Sequence, residues 1–241
     1  MTRFLASVRD AAEAEMAIGA GADIIDLKDP GNGALGALDA QTIATCVRSV
    51  AKRAPVSATI GDLPMHGETV RAAVLATAAS RVDYVKLGLF PGGDGEACLN
   101  GLADARVRLI LVLFADALPD FDAILAAARI GACGVMLDTA GKADGSLLDH
   151  LSVDALACFV AAAKAEGLTV GLAGSLKASH VPKLLALEPD LLGFRGALCR
   201  GGARAQSLDA LALASIRALI PHASRSEAEA EIPEPRASAL C

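Results

Sequence analysis

Three lysines and two aspartates stand out because each closes, interrupts or follows a short apolar run. Asp26 and Lys28 end the run 24–28, Lys86 lies inside the run 84–88, Asp138 ends the run 134–138, and Lys142 follows it in a loop. Residues two apart on a strand share a face. Asp26 and Lys28 therefore point into one space if Ile25 and Leu27 pack the other way. A lysine among buried strand residues is costly unless it is paired or functional. Each residue alone has a plain reading: a strand-end ion pair for Asp26 and Lys28, a structural partner of Asp26 or Asp138 for Lys86, and a solvated loop lysine for Lys142. Together they predict something sharper. Ammonium groups crowded in a partly dry pocket lower one another's pKa, which frees an amine to attack a carbonyl. The carboxylates hold the remaining charge and move protons. Schiff-base and proton-transfer chemistry is the expectation.

A second set of residues suits an anion. The segment LAGSLK at 172–177 supplies Gly174 and Ser175, and FRGA at 194–197 supplies Arg195, Gly196 and Ala197. Backbone N–H groups in such turns cradle phosphate, and an arginine adds charge. The plainer reading is that these glycines only permit tight turns. Asp62 also ends an apolar run and suits either the site or a turn cap, while Asp116 and Asp120 read as caps. His66, His150, His180 and His222 are scattered without ligand spacing, and six cysteines lie apart with no CxxC pair. No metal site and no cofactor are expected.

These residues need elements that bring them together. Eight apolar runs, at 3–8, 24–28, 56–60, 84–88, 107–113, 134–138, 169–173 and 191–195, alternate with Ala- and Leu-rich helical stretches. Such alternation predicts βαβ units and a parallel sheet. A weak internal repeat supports the count: GADIIDLK at 21–28, RVDYVKLG at 81–88, GACGVMLD at 131–138 and PDLLGFR at 189–195 follow one plan. Repeated units that close on themselves give a single (β/α)8 TIM barrel, whose active site lies at the C-terminal strand ends and whose phosphate site often follows strands seven and eight. An open doubly wound sheet usually begins with a Gly-rich first turn, which is absent after Val8. Helix caps are expected at Asp10, Asp39, Ser152, Ser179 and Ser207. The barrel should occupy residues 1–220, and 221–241 reads as a flexible tail.

Composition agrees. The 241 residues are 54% hydrophobic but 3% aromatic, without tryptophan, and the net charge is −6. An aliphatic core suits barrel layers; a base-stacking surface needs aromatic platforms, and a basic face is lacking. Mean hydropathy is +0.47, yet no apolar run reaches the roughly 18 residues of a membrane helix, and no signal-peptide pattern opens the chain. Neither nucleic acid nor membrane is expected as a partner, and a cytoplasmic location is.

The segments GADIIDLKDP at 21–30, VSATIGD at 56–62, DYVKLGL at 83–89, MLDTA at 136–140 and LAGSLK at 172–177 resemble the (5-formylfuran-3-yl)methyl phosphate synthase family from the first strand to the last helix. The resemblance implies a lyase that condenses two molecules of glyceraldehyde 3-phosphate into the furan phosphate, losing phosphate and water, on the way to methanofuran-type carriers. It implies Lys28 as the Schiff-base lysine with Asp26 as partner, Lys86 as a proton-accepting lysine, and Asp138 and Lys142 as further site residues. The segment CRGGAR at 199–204 and a short stretch at 113–119 depart from the family pattern. The expected partner is a phosphorylated triose, in a homo-oligomer. Two alternatives stay open from the residues: another Schiff-base aldolase acting on a sugar phosphate, and a non-catalytic sensor of phosphate ligands.

Overall fold

Alternation along each strand decides which side chains meet in the middle of this protein. The computed structural model describes residues 1–141 and 144–221. Eight parallel strands, β1 (Arg3–Val8), β2 (Ile24–Leu27), β3 (Val56–Thr59), β4 (Tyr84–Gly88), β5 (Leu109–Phe114), β6 (Gly134–Asp138), β7 (Thr169–Leu172) and β8 (Leu191–Phe194), pair in sequence order, and β8 closes onto β1. The barrel expected from the alternating runs is the fold. One side of each strand packs outward: Phe4, Ala6, Val8, Ile25, Leu27, Val85 and Leu87 join helix residues such as Ala14, Ala17, Ile43 and Val74 in one cluster. The other side fills the lumen, where Leu5, Ile24, Tyr84, Ile110, Val112 and Met136 form a second cluster. Ile25 and Leu27 do face the helices, so Asp26 and Lys28 take the inner side.

The repeated plan has a physical basis. Asp23, before β2, accepts the Phe4 N–H of β1 at 2.7 Å; Asp83, before β4, accepts Val56 N–H of β3 at 2.7 Å; Asp190, before β8, accepts Val170 N–H of β7 at 2.8 Å. Each aspartate satisfies a donor at the bottom of the preceding strand that the ladder leaves open, as buried backbone groups require. Cys133 stands at the matching place before β6 and cannot replace a carboxylate there.

Helices α1 (Ala11–Gly19), α2 (Ala40–Val50), α3 (Gly67–Ala79), α4 (Gly95–Asn100), α5 (Ala123–Arg129), α6 (Leu147–His150), α7 (Val153–Ala165), α8 (Val181–Leu185) and α9 (Ala210–Leu219) lie between or after the strands. Asp10, Asp39 and Ser152 cap α1, α2 and α7 by accepting the N–H three residues on. Two expected caps are corrected. Ser179 lies inside a 3-10 turn that precedes α8, and α9 is capped by Asp209, which accepts Ala212 N–H at 2.9 Å, so Ser207 falls outside the helix. The fifth strand also starts later than residue 107. Arg106 turns with φ 49°, and pairing with β4 begins only at Leu109. The tail assigned to 221–241 lies outside the described residues except for Pro221. Among the described residues no helix is long and apolar enough to cross a membrane.

Candidate active site

Asp26 is the centre of the inner charge network. It is fully buried on β2, directly beside Ser7 of β1 and Ser57 of β3 in the strand register. Its Oδ2 accepts from Ser7 Oγ at 2.9 Å; its Oδ1 accepts from Ser57 Oγ at 2.7 Å and from Lys86 Nζ at 3.0 Å. Burial alone would raise this carboxyl. The charges of Lys86 and Lys28, with the hydrogen bonds of Ser57 and Lys86, outweigh that and hold it below its ordinary value. Asp26 is therefore a carboxylate at neutral pH.

Lys28 sits one residue beyond β2, with its N–H donated to Val8 O at 3.0 Å and its side chain 93% covered. Its Nζ lies 3.8 Å from Asp138 Oδ2 at the end of β6. Asp138 is held in turn by Thr139 N–H, which donates to Oδ1 at 2.8 Å. Gly174 backs this turn: its φ is +104°, and a Cβ there would lie 2.9 Å from Thr139 Cγ2. Lysines and aspartates thus alternate in space, Asp26 to Lys86 and Lys28 to Asp138. The sequence had suggested Asp26 as the direct partner of Lys28. The observed contacts give Asp26 its short bond to Lys86, while Lys28 acts on Asp26 through its charge.

Lys28, Lys86 and Asp138 line a cavity of about 460 Å³ at the C-terminal mouth, floored by Leu5 and Met136. Met136 fills the centre because β7 and β8 carry glycine opposite it. A methyl group at Gly171 or Gly193 would approach its side chain within 2.9 Å. Gly174, Ser175, Arg195, Gly196 and Ala197 line the same cavity, on the side of β7 and β8. Nine of the ten residues singled out from the sequence are placed together; Asp26 lies just beneath the cavity, and the tenth, Lys142, lies outside the described residues. Its loop is fixed at the near end, where Asp116 accepts Ala140 N–H at 2.8 Å and Gly141 N–H at 2.6 Å. Asp62 likewise pins the loop after β2, accepting Ala34 and Leu35 N–H at 2.7 Å each.

Arg195 spends its side-chain donors inside the protein. Its Nε donates to Arg204 O at 2.9 Å, Nη1 to Ser7 O at 3.2 Å and to Glu13 Oε2, and Nη2 to Glu13 Oε1 at 3.2 Å and to Gln206 O at 2.9 Å. A guanidinium has five N–H donors, and all five are used inside the protein. The side chain thus serves as a structural tie, and Arg195 also lines the cavity. Glu13 is 3% exposed. Neutralising one member of a buried pair strands the other charge, which costs roughly 3–5 kcal/mol. Glu13→Gln should lower the unfolding free energy by about that much in a urea titration; a change under about 1 kcal/mol would mean the pair is not a structural anchor.

The sequence reading missed Ser7, Ser57, Glu13 and Arg204. Ser7 and Ser57 carried a signal, since each is a polar residue on the inner side of its strand near the C-terminal end. Arg204 lines the cavity and donates from Nη2 to Gly33 O at 3.0 Å. Burial lowers its pKa, opposed first by the charge of Asp138. Among the described residues no three His, Cys, Asp or Glu side chains group as metal ligands.

Residues 4–217 match the family model described as 4-HFC-P synthase. A protein of Methylorubrum extorquens named "Putative (5-formylfuran-3-yl)methyl phosphate synthase" is 46% identical over 209 residues, covering 86% of each chain. The (5-formylfuran-3-yl)methyl phosphate synthase of Methanocaldococcus jannaschii is 37% identical over 214 residues, covering 83% of this chain and 91% of its own. Among solved structures, phosphoribosyl anthranilate isomerase from Thermus thermophilus aligns with a TM-score of 0.66 at 16% identity, covering 90% of this chain and 98% of its own. 3-Hexulose-6-phosphate synthase aligns with a TM-score of 0.61 at 15% identity, covering 91% and 100%. These two likenesses speak to the barrel alone.

Proposed function

The chain belongs to the 4-HFC-P synthase family, and on that premise we propose that it condenses two molecules of glyceraldehyde 3-phosphate into (5-formylfuran-3-yl)methyl phosphate through an imine on Lys28. The observation that carries this reading is the double lysine–carboxylate arrangement at the mouth of the barrel: Lys86 bonded to Asp26 and Lys28 beside Asp138, all buried. The balance of atoms is one inorganic phosphate and two waters lost from two trioses. Chemistry of that kind needs one carbonyl activated, a carbon acidified, one C–C bond made and several groups expelled.

Lys28 is the amine best placed to attack. It borders the cavity 3.8 Å from Asp138, whereas Lys86 Nζ is hydrogen-bonded to Asp26 at 3.0 Å. Attack gives a carbinolamine, and loss of water gives an iminium ion. That cation acidifies the neighbouring C–H; the resulting enamine can add to the second triose or expel a group one carbon further on. Lys86 and Asp138 face the same space and serve as proton carriers. Lys142 joins them on the strength of the family pattern. Backbone N–H groups of Gly174, Ser175, Gly196 and Ala197 are the proposed cradle for a phosphate. The product would feed methanofuran-type carriers, and the reaction would class the protein as a carbon–oxygen lyase acting on phosphates.

Incubating the purified chain with glyceraldehyde 3-phosphate should yield the furan phosphate mass, near-ultraviolet absorbance and one inorganic phosphate per product. A six-carbon aldol adduct that retains both phosphates would assign the protein to the Schiff-base aldolases instead. Binding without turnover would make it a sensor.

A further inference from the structure

Residues 199–208 form a firmly moored loop of the mouth. Its backbone is held at four successive points: Arg195 donates to the carbonyls of Arg204 and Gln206, Arg9 Nη1 donates to Ala205 O at 3.0 Å, and Leu208 N–H donates to Glu13 Oε1 at 3.3 Å. Cys199 and Leu208 bridge across the loop, and Arg200 N–H donates to Ser207 O at 3.1 Å. Glu13 and Arg195 are both buried beneath it and lie outside the charge network of Asp26. A buried ion pair that spends every donor on one loop fixes where that loop's side chains point.

The side chain so fixed is Arg204. It is half-buried, lines the same cavity as Lys28, and feels the charges of Asp138, Asp62 and Asp29. Among the described residues its guanidinium meets one acceptor, the Gly33 carbonyl. Gly33 is itself immobilised against Asp62: it has φ +95°, and a Cβ there would lie 2.1 Å from Asp62 Oδ2. Arg195 has all five donors engaged within the protein; Arg204, its backbone held still, lines the cavity and among the described residues spends one donor, on Gly33 O. A planar fork of donors on a preorganised arm is what a phosphate selects.

We propose that Arg204 is the cation that takes a phosphate of the substrate, and that the buried Glu13–Arg195 pair is a positioning device that holds it there. Arg204 is then a binding residue, and Glu13 and Arg195, which touch no ligand, act through it. The inference rests on the reading of a substrate with phosphate groups, but its test does not need turnover.

Calorimetric titration of the full chain with inorganic phosphate is that test. Arg204→Gln should weaken phosphate binding about ten- to a hundredfold, the value of a charge-assisted contact, with Arg204→Lys between it and the parent. With glyceraldehyde 3-phosphate, the loss in kcat/KM should fall mainly on KM. Glu13→Gln, measured where it remains folded, should also weaken phosphate binding; a merely structural pair would change stability and leave the dissociation constant alone. If Glu13→Gln does not fold, Arg195→Lys, which keeps the charge but loses the fork, takes its place. Equal phosphate affinity for Arg204→Gln and the parent overturns the inference, as does a parent chain that binds no phosphate. A loss seen on Lys177→Gln but not on Arg204→Gln moves the site to that other cavity-lining cation and overturns it too. A parent that binds phosphate through Arg204 yet makes no furan would leave this inference standing and remove the synthase reading; a parent that makes the furan with Arg204 indifferent to phosphate does the reverse.

Discussion

Lys28→Ala should abolish furan phosphate formation while the barrel and its affinity for inorganic phosphate persist. The imine at Lys28 cannot form without its amine. The substitution should be tolerated by the fold because Lys28 lies at the strand end rather than in the lumen layers. It leaves Asp26 with Lys86, Ser7 and Ser57 as partners. Single-turnover assays with product detected by mass read the first expectation, and phosphate calorimetry reads the second. Residual turnover within a hundredfold of the parent would show that the carbonyl is activated elsewhere.

Lys86→Met should lower kcat by about 10²- to 10⁴-fold, the usual range for a positioned proton carrier. Methionine keeps an unbranched stem as far as Cε and removes the ammonium with its charge and proton. Asp26 would then be a buried carboxylate deprived of its short bond, so its pKa should rise. The two lysines are told apart by where the reaction stops. Lys86→Met should still form the imine at Lys28 and stall after it, whereas Lys28→Ala should form none. Loss of the imine in Lys86→Met, in protein that remains folded, would place Lys86 before rather than after the covalent step.

Much of this arrangement was legible in the residues, for definite reasons. Strand alternation has period two, so once Ile25 and Leu27 were assigned to the helix side, Asp26 and Lys28 had to face the lumen. The polar residue at each strand's C-terminal end then converged on one mouth, because a closed parallel barrel brings all those ends to one face. The pairing within the mouth was not legible. Whether Asp26 bonds Lys28 or Lys86 depends on strand stagger and on side-chain reach, and sequence spacing carries neither. Arg195 was assigned to phosphate because it ends a strand beside a glycine turn. Its true partner, Glu13, lies 182 residues away on α1, where one glutamate in an alanine-rich helix looks like any solvated one. Ser179 and Ser207 matched cap chemistry, but Pro182 and Asp209 set the helix starts instead.

The central claim is a covalent bond between substrate and Lys28, and reduction in the act tests it most directly. The chain is mixed with glyceraldehyde 3-phosphate, treated with borohydride, digested and weighed peptide by peptide. The account predicts a triose-derived mass on the peptide containing Lys28, absent without substrate and absent in Lys28→Ala. A label on Lys86 or Lys142 with Lys28 unmodified would contradict it.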